Sequence, residues 1–305
     1  MKIPSFPKFI SLSLGLKDEI HPRLSSAPDG VSEFTFAGLY LFRSRYNYHV
    51  SELKDRTLII SGVQPPKDGE GEKKFFMTPC ASVERSILQT LFQTHDYWKN
   101  ISDSVLISHR SRLEQWGIQF DEDRDNFDYL YLRQELAELK GKKYHKKRNL
   151  LAQFHKLYRY EKKLITAGLI SDAMAVLEKW REDDREKGGL GEDDYAECKD
   201  ALLSFGELNM QGLLVYIDGE PAAWCLGEPV ANGRIFAVHF EKGLEKFKGI
   251  YQFLNQAFAA ELPEHFTHIN REQDLGNGGL RQAKMSYRPT GFVRKYRGLL
   301  IGELS

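Results

Sequence analysis

Leu213-Leu-Val-Tyr-Ile217 and Ala222-Ala-Trp-Cys-Leu-Gly227, joined by Asp218-Gly-Glu-Pro221, carry the reading that decides the fold. Both runs are apolar and suit a pleated, half-buried surface, and the Asp-Gly pair between them supplies the positive-φ positions of a tight hairpin. Working outward, residues 234–240 alternate as a third strand. Ile250, Tyr251, Leu254 and Phe258 then recur at helical spacing within 247–261, and Pro263 ends the helix. A short strand at 265–270, a short helix at 279–287 and a last strand at 293–301 follow. The predicted order is strand, strand, strand, helix, strand, helix, strand.

The N-terminal half repeats this order in weaker form. Residues 57–63 and 74–78 read as strands around the Gly- and Pro-rich loop 65–71, which is flexible by composition. Ile87, Leu88, Leu91, Phe92 and Tyr97 suggest a helix from Ser82 to Trp98, followed by a strand at 104–108, a short helix at 111–115 and a strand at 127–132. Overlaying the two long helices gives an offset of about 160 residues, a repeat of topology rather than of sequence.

Between the halves lies a helical stretch. Leu150, Leu151, Phe154, Leu157 and Tyr158 form an apolar stripe, Ser171-Asp172 starts a helix through Val176, Leu177 and Trp180, and 195–208 is a further helix. The charged run 181–194, broken by Gly188, Gly189 and Gly191, reads as a solvated loop. At the head of the stretch Lys140, Lys142, Lys143, Lys146, Lys147, Arg148, Lys156, Arg159, Lys162 and Lys163 face only Glu138 and Glu161. A solvated helix face usually interleaves its signs. This excess, with Tyr144 and His145 among the cations, combines phosphate-neutralising and base-stacking groups; the plain alternative is a basic face that happens to be poor in acids.

The whole chain of 305 residues has 43 Lys and Arg against 43 Asp and Glu, so polyanion binding must come from a local patch and not from overall charge. Its length is a prior for two domains of about 150 residues. Cys80, Cys198 and Cys225 are scattered, which argues against a zinc ribbon or disulfide framework and fits a reducing cytoplasm. Pro4 and Pro7 interrupt the N-terminus before an apolar run develops, and no stretch of about 18 apolar residues occurs, so neither a signal peptide nor a spanning helix is expected.

Phe127-Asp-Tyr-Leu-Tyr131, Leu139-Lys-Gly-Lys-Lys-Tyr-His-Lys-Lys-Arg-Asn149 with Phe154, and Ile269-Asn-Arg-Glu-Gln-Asp-Leu-Gly276 followed by 279–287 closely resemble the phosphatidylglycerol lysyltransferase C-terminal-domain family over nearly the whole chain. The strand and helix order likewise resembles that of GNAT acyltransferases. The resemblance implies an α+β fold of two tandem GNAT-like domains with mixed sheets, joined by a helical insertion: 1–135, a basic connector 136–210, and 211–305. It also implies transfer of an aminoacyl group from tRNA without CoA. In a GNAT domain the helix start after the fourth strand holds the CoA pyrophosphate; here that stretch contains Lys246, Lys248 and Gly249, and the bulky Tyr251 replaces a small residue, a departure that favours the CoA-independent branch. Alternatively Gly249 only permits close helix packing.

Aminoacyl esters are already activated, so the protein must position a nucleophile, accept its proton and stabilise an oxyanion. His239 and Glu241, alternate residues at a strand end, are candidate acceptors on one face, and Glu272 and Asp274 follow another strand end. A carboxylate there would bind the α-amino group, with Arg271, Arg281, Lys284 and Tyr287 on the substrate; the competing reading is an ion-pair network tying strand to helix. Lys140, Lys142, Lys143, Lys146, Lys147 and Arg148 are the candidate tRNA contacts. His265 and His268 face opposite sides of a strand, and no metal motif is present, so no catalytic metal is expected. Three functional readings stay open: an aminoacyl-tRNA-dependent transferase acting on an unidentified acceptor such as a lipid headgroup, requiring no cofactor; a GNAT N-acyltransferase using acetyl-CoA or another acyl-CoA; and a non-catalytic protein binding RNA or anionic lipid. Expected partners are aminoacyl-tRNA and, peripherally, anionic lipid at the inner face of the membrane, with no DNA; the expected location is cytoplasmic.

Overall fold

The computed structural model describes residues 2–66, 71–186 and 194–302. The strands are β1 (Ile10–Ser11), β2 (His49–Glu52), β3 (Leu58–Gln64), β4 (Lys73–Met77), β5 (Tyr97–Ser102), β6 (Ile118–Glu122), β7 (Asp128–Leu132), β8 (Tyr160–Leu164), β9 (Gln211–Ile217), β10 (Glu220–Val230), β11 (Ile235–Gly243), β12 (His268–Asn270), β13 (Gly291–Val293) and β14 (Lys295–Leu300). They form two mixed sheets, ordered β1-β2-β3-β4-β5-β14-β6 and β13-β7-β12-β11-β10-β9-β8. The β4–β5 and β11–β12 pairs are parallel and every other pair between strands is antiparallel.

The hairpin of the opening stretch is present as β9 and β10, turning through Asp218 and Gly219 at φ 52° and 87°. The helix expected at 247–261 runs Ile250–Glu261, and the one expected at 279–287 runs Gly278–Met285, capped by the Asn277 side chain, which accepts from the Leu280 amide. In the N-terminal half two expectations change. Tyr97 to Ser102 is a strand buried along its whole length, not a helix end, because its aromatic residues are packed on both faces of the sheet. Residues 104–108 belong to the helix Asp103–Gln115, whose first turn carries Asp103. The expected strand at 293–301 is two strands that part at Arg294.

That parting exchanges strands between the halves. β14 leaves the C-terminal half and lies between β5 and β6; β7 leaves the N-terminal half and lies between β12 and β13. A cut at 135 and 211 therefore leaves each sheet holding a strand from the other side.

The connector divides by task. Helix His145–Leu157 packs with helix Ile250–Glu261 over one face of the second sheet, Phe154 stacking on Phe253 at 4.4 Å. Helices Ile170–Glu186 and Tyr195–Leu203 place Val176, Leu177, Cys198 and Leu202 in the largest core, with residues of both sheets. Of the predicted loop 181–194, residues 181–186 continue a helix, and 187–193 lie outside the described residues, as do 67–70 of the loop 65–71. The first 46 residues, for which the sequence alone gives no element, contribute Leu16, Ile20, Phe34, Phe36 and Leu39 to the same core.

Candidate active site at the opening between two parallel strands

β11 and β12 pair only from Ile235–His268 to Ala237–Asn270. Beyond Asn270 the chain turns away while β11 continues, so a V opens between 238–243 and 271–276. Glu272 (φ 54°), Leu275 (φ 51°) and Gly276 (φ 80°) make the turn in the left-handed region, which non-glycine residues enter only when their surroundings hold them there. Across β11 the register slips between Leu226 and Gly227, leaving His239 as the extra residue of a bulge.

The two candidate pairs from separate strand ends interdigitate inside this V. His239 Nδ1 donates to Glu272 Oε1 at 2.6 Å and Nε2 to Glu228 Oε1 at 3.1 Å. Burial works against the charged imidazole, but the two carboxylates outweigh it and lift its pKa to about 10. Both ring nitrogens of His239, expected as a proton acceptor, are thus engaged by carboxylates, an arrangement that stabilises the imidazolium. One residue along, Arg271 Nη2 donates to Glu241 Oε2 at 2.6 Å, and Asn255 Nδ2 reaches the same oxygen at 3.1 Å. Glu272 is 20% exposed, and among the described residues its second oxygen has no partner.

The basic segment reaches this site at Tyr287, where the Tyr144 hydroxyl donates to its carbonyl at 3.1 Å. Lys147 Nζ stands 3.9 Å from the centroid of the Tyr287 ring, and the Arg271 guanidinium lies 5.1 Å from the same centroid. Burial and then repulsion by Arg271 draw the Lys147 ammonium down to about 8. Lys284 is buried and donates to the carbonyls of Arg271 and Gln273, so it holds the turn; burial, then Arg271, lower it to about 8. The rest of the segment does other work: Lys143 pairs with Glu135 (2.7 Å), Lys140 with Glu138 (2.8 Å), and Arg148 donates to the carbonyls of Leu139 and Gly141. Lys142 and Lys146 are exposed and pair with no acid among the described residues.

Asp274 and Arg281 form a neighbouring clamp. The Asp274 side chain is 0% exposed and accepts from Arg281 Nε (2.9 Å) and Nη2 (2.7 Å), the Tyr129 hydroxyl (2.5 Å), the Gly276 amide (2.9 Å) and Arg124 (3.4 Å). Burial raises the acid, but these donors prevail and hold it down to about 2. With both oxygens occupied, this geometry ties the turn to β7 and the following helix.

The presumed phosphate cradle is occupied by the chain itself. Gly249 has φ 88°, and a Cβ built there would lie 3.1 Å from the Leu150 carbonyl. The Lys248 amide donates to the Tyr158 hydroxyl (3.0 Å), and the Gly243 amide to that of Tyr251 (3.3 Å). Lys246 and Lys248 are exposed and touch none of the His239 cluster among the described residues.

Three groups escaped sequence reading. Glu228 is a buried acid between Gly227 and Pro229 in an otherwise apolar strand, a signal that was available. Asn270 accepts from the Glu272 amide at 2.8 Å and donates to Asp128 at 3.1 Å, fixing the strained turn. Asp128, at the start of β7, meets Lys295 of β14 at 2.6 Å where the exchanged strands cross; Lys295 also bonds Glu33, and Ser32 donates twice to Asp128. Pairing of residues so far apart leaves no local trace. Among the described residues no group of three or more potential ligands could hold a metal.

A family model described as phosphatidylglycerol lysyltransferase, C-terminal, matches residues 25–298. No curated protein matches the sequence. Among solved structures, a conserved protein of unknown function from Bacteroides thetaiotaomicron is 29% identical, with 96% of this chain and 99% of that one covered and a TM-score of 0.84. The C-terminal domain of a putative lysylphosphatidylglycerol synthetase from Agrobacterium fabrum is 14% identical (95% and 93% covered, TM-score 0.64), and FemX is 9% identical (96% and 97% covered, TM-score 0.57). The last two show a shared fold. The α+β architecture of tandem GNAT-like units expected from the sequence is the one observed, with the strand exchange added.

Proposed function

The chain belongs to the phosphatidylglycerol lysyltransferase C-terminal family and so sits among acyltransferases; from that premise we propose that it moves an aminoacyl group from aminoacyl-tRNA to the hydroxyl or amine of an acceptor, with a polar lipid headgroup as the first to test. The observation that carries this reading is the meeting on Tyr287 of Lys147, from the basic segment, and Arg271, from the strand-end cluster. A polyanion bound along Lys142 and Lys146 would present its end to the V between β11 and β12.

In this reading the free Glu272 oxygen takes the proton of the attacking acceptor and returns it to the ribose oxygen as the ester bond to tRNA breaks, and the imidazolium of His239 orients that carboxylate. Glu241 offers its second oxygen to the α-amino group of the donor. Lys147 and Arg271 supply the positive field for the oxyanion at the ester carbonyl. Asn270 and the Asp274–Arg281 clamp act through the turn, as positioning residues. The CoA-dependent reading is disfavoured because the amides of Gly243 and Lys248 are spent on Tyr251 and Tyr158 and Leu150 lies against Gly249.

The test offers a mixed pool of labelled aminoacyl-tRNAs, and in parallel labelled acetyl-CoA, with phosphatidylglycerol vesicles and with total cell extract. Label is expected to move from tRNA, to depend on Glu272 (lost in Glu272→Gln), and not to move from acetyl-CoA. Acetyl transfer, or no transfer from any aminoacyl-tRNA, would overturn the proposal.

A further inference from the structure

The second sheet ends at β8, whose five residues, Tyr160-Glu-Lys-Lys-Leu164, are all exposed. β8 pairs antiparallel with β9, Tyr160 opposite Ile217 through to Leu164 opposite Leu213. On its flanks the Asp218 amide donates to the Arg159 carbonyl and the Ile165 amide to the Gly212 carbonyl, both at 2.9 Å. Hydrogen-bonding direction alternates along an antiparallel strand, so residues 161 and 163 also point their backbone groups at β9. The N–H and C=O groups of Tyr160, Lys162 and Leu164 therefore face outward, an open template for another strand.

From this edge we propose that two copies of the chain pair through β8, antiparallel and centred on Lys162, joining their second sheets into one. The register is self-complementary. It sets Tyr160 against Leu164 twice and Glu161 against Lys163 twice, with Lys162 against its own copy on the axis. Tyr160 is 38% and Leu164 60% exposed, so each apolar pair covers surface now in water. On the other face each Glu161–Lys163 pair brings opposite charges directly across the strands. Edge lysines ordinarily discourage pairing. Here Lys162 is neutralised by Glu261 at 2.5 Å, so the axial contact joins two ion pairs rather than two free cations. Leu157, 59% exposed just ahead of the strand, adds apolar surface at the rim. Every contact off the axis is made twice by one symmetry operation, as a closed two-fold dimer requires. Five residues fall short of the roughly 1,200 Å² of a stable interface, so the flanking helices must share in it and the dimer is expected to be concentration-dependent.

The test is the mass of the full chain in solution over a range of concentrations. The chain of 35.2 kDa should rise toward about 70 kDa as a two-fold dimer forms. Lys162→Pro removes an outward N–H that β9 does not use, and should hold the chain monomeric with an unchanged melting temperature. Glu161→Lys should weaken the dimer, and adding Lys163→Glu to it should restore association by recreating opposite charges. A chain monomeric at every concentration, a dimer indifferent to Lys162→Pro, or a charge exchange that restores nothing overturns the proposal. So does binding of anionic phosphatidylglycerol vesicles through this edge by a chain that stays monomeric, which would make it a lipid-facing surface.

Discussion

His239 has both ring nitrogens engaged by carboxylates, and that decides how it responds to pH. Its folded pKa of about 10 lies above the ordinary 6.5, so it contributes stability that is fully present below pH 6.5 and lost as pH rises through about 10. Lys99, Lys147 and Lys284, drawn down to about 8 chiefly by burial, act in the opposite sense, since the folded state binds fewer protons than the unfolded one between about 8 and 10.5. The difference between parent and His239→Gln isolates the histidine. Denaturation curves should show the parent losing stability relative to the variant by up to about 1.4 kcal/mol per pH unit between pH 6.5 and about 10. Parallel curves would mean that the imidazole is neutral. Asp274 belongs to the same scale. Arg281→Ala leaves a buried carboxylate without its bidentate partner and should lower the melting temperature, moderated by Arg124 and Tyr129. Loss of transfer with an unchanged melting temperature would instead make this clamp part of the chemistry.

Among the elements, the basic segment is less uniform than its composition suggests. Lys143 and Arg148 are committed to Glu135 and to backbone carbonyls, Lys147 is turned onto Tyr287, and Lys142 and Lys146 remain for a polyanion. Replacing Lys142 and Lys146 by Ala should reduce the log–log salt dependence of tRNA binding by about 0.7 to 0.9 for each phosphate that is no longer neutralised, while Arg148→Ala should lower the melting temperature instead. An unchanged slope in the double variant would make the segment a solvated face. Helix Ile250–Glu261 makes a second element-scale case. Its leading Gly249 combines a left-handed backbone with close approach to Leu150, so Gly249→Ala should destabilise by about 1 to 2 kcal/mol, read from the denaturation midpoint.

Across the whole molecule, the exchange of β7 and β14 makes each sheet depend on the other half of the chain. The crossing is cemented by Lys295 between Asp128 and Glu33, with Lys295 and Asp128 both 0% exposed. Lys295→Met would leave the buried Asp128 and the part-buried Glu33 without their cation and should cost about 3 to 5 kcal/mol. Because the strands interlock, calorimetry should show one cooperative transition for the parent chain. Two resolved transitions would show that the halves fold independently despite the exchange.

How much was legible in the sequence depends on the range of the forces involved. The β9–β10 hairpin, the short helix expected at 279–287 and the basic excess follow from propensity, turn chemistry and charge over a few residues, and each could be read directly. The residues of the V were also legible as charged groups at two strand ends, and the motif 269–276 carried the family. Their partners were not. That His239 lies between Glu228 and Glu272, that Glu241 binds Arg271, and that Asp274 is saturated depend on where β11 and β12 part. Tyr97 misleads because no Gly or Pro separates it from the helical run of Leu88, Leu91 and Phe92, while burial on both faces of a central strand is settled only by the sheet around it. The strand exchange lies furthest from sequence: β7 and β14 look like ordinary strands, and their placement is chosen by the pairing of Asp128 with Lys295 and by cores built from both halves. Those energies exist only once the chain has folded.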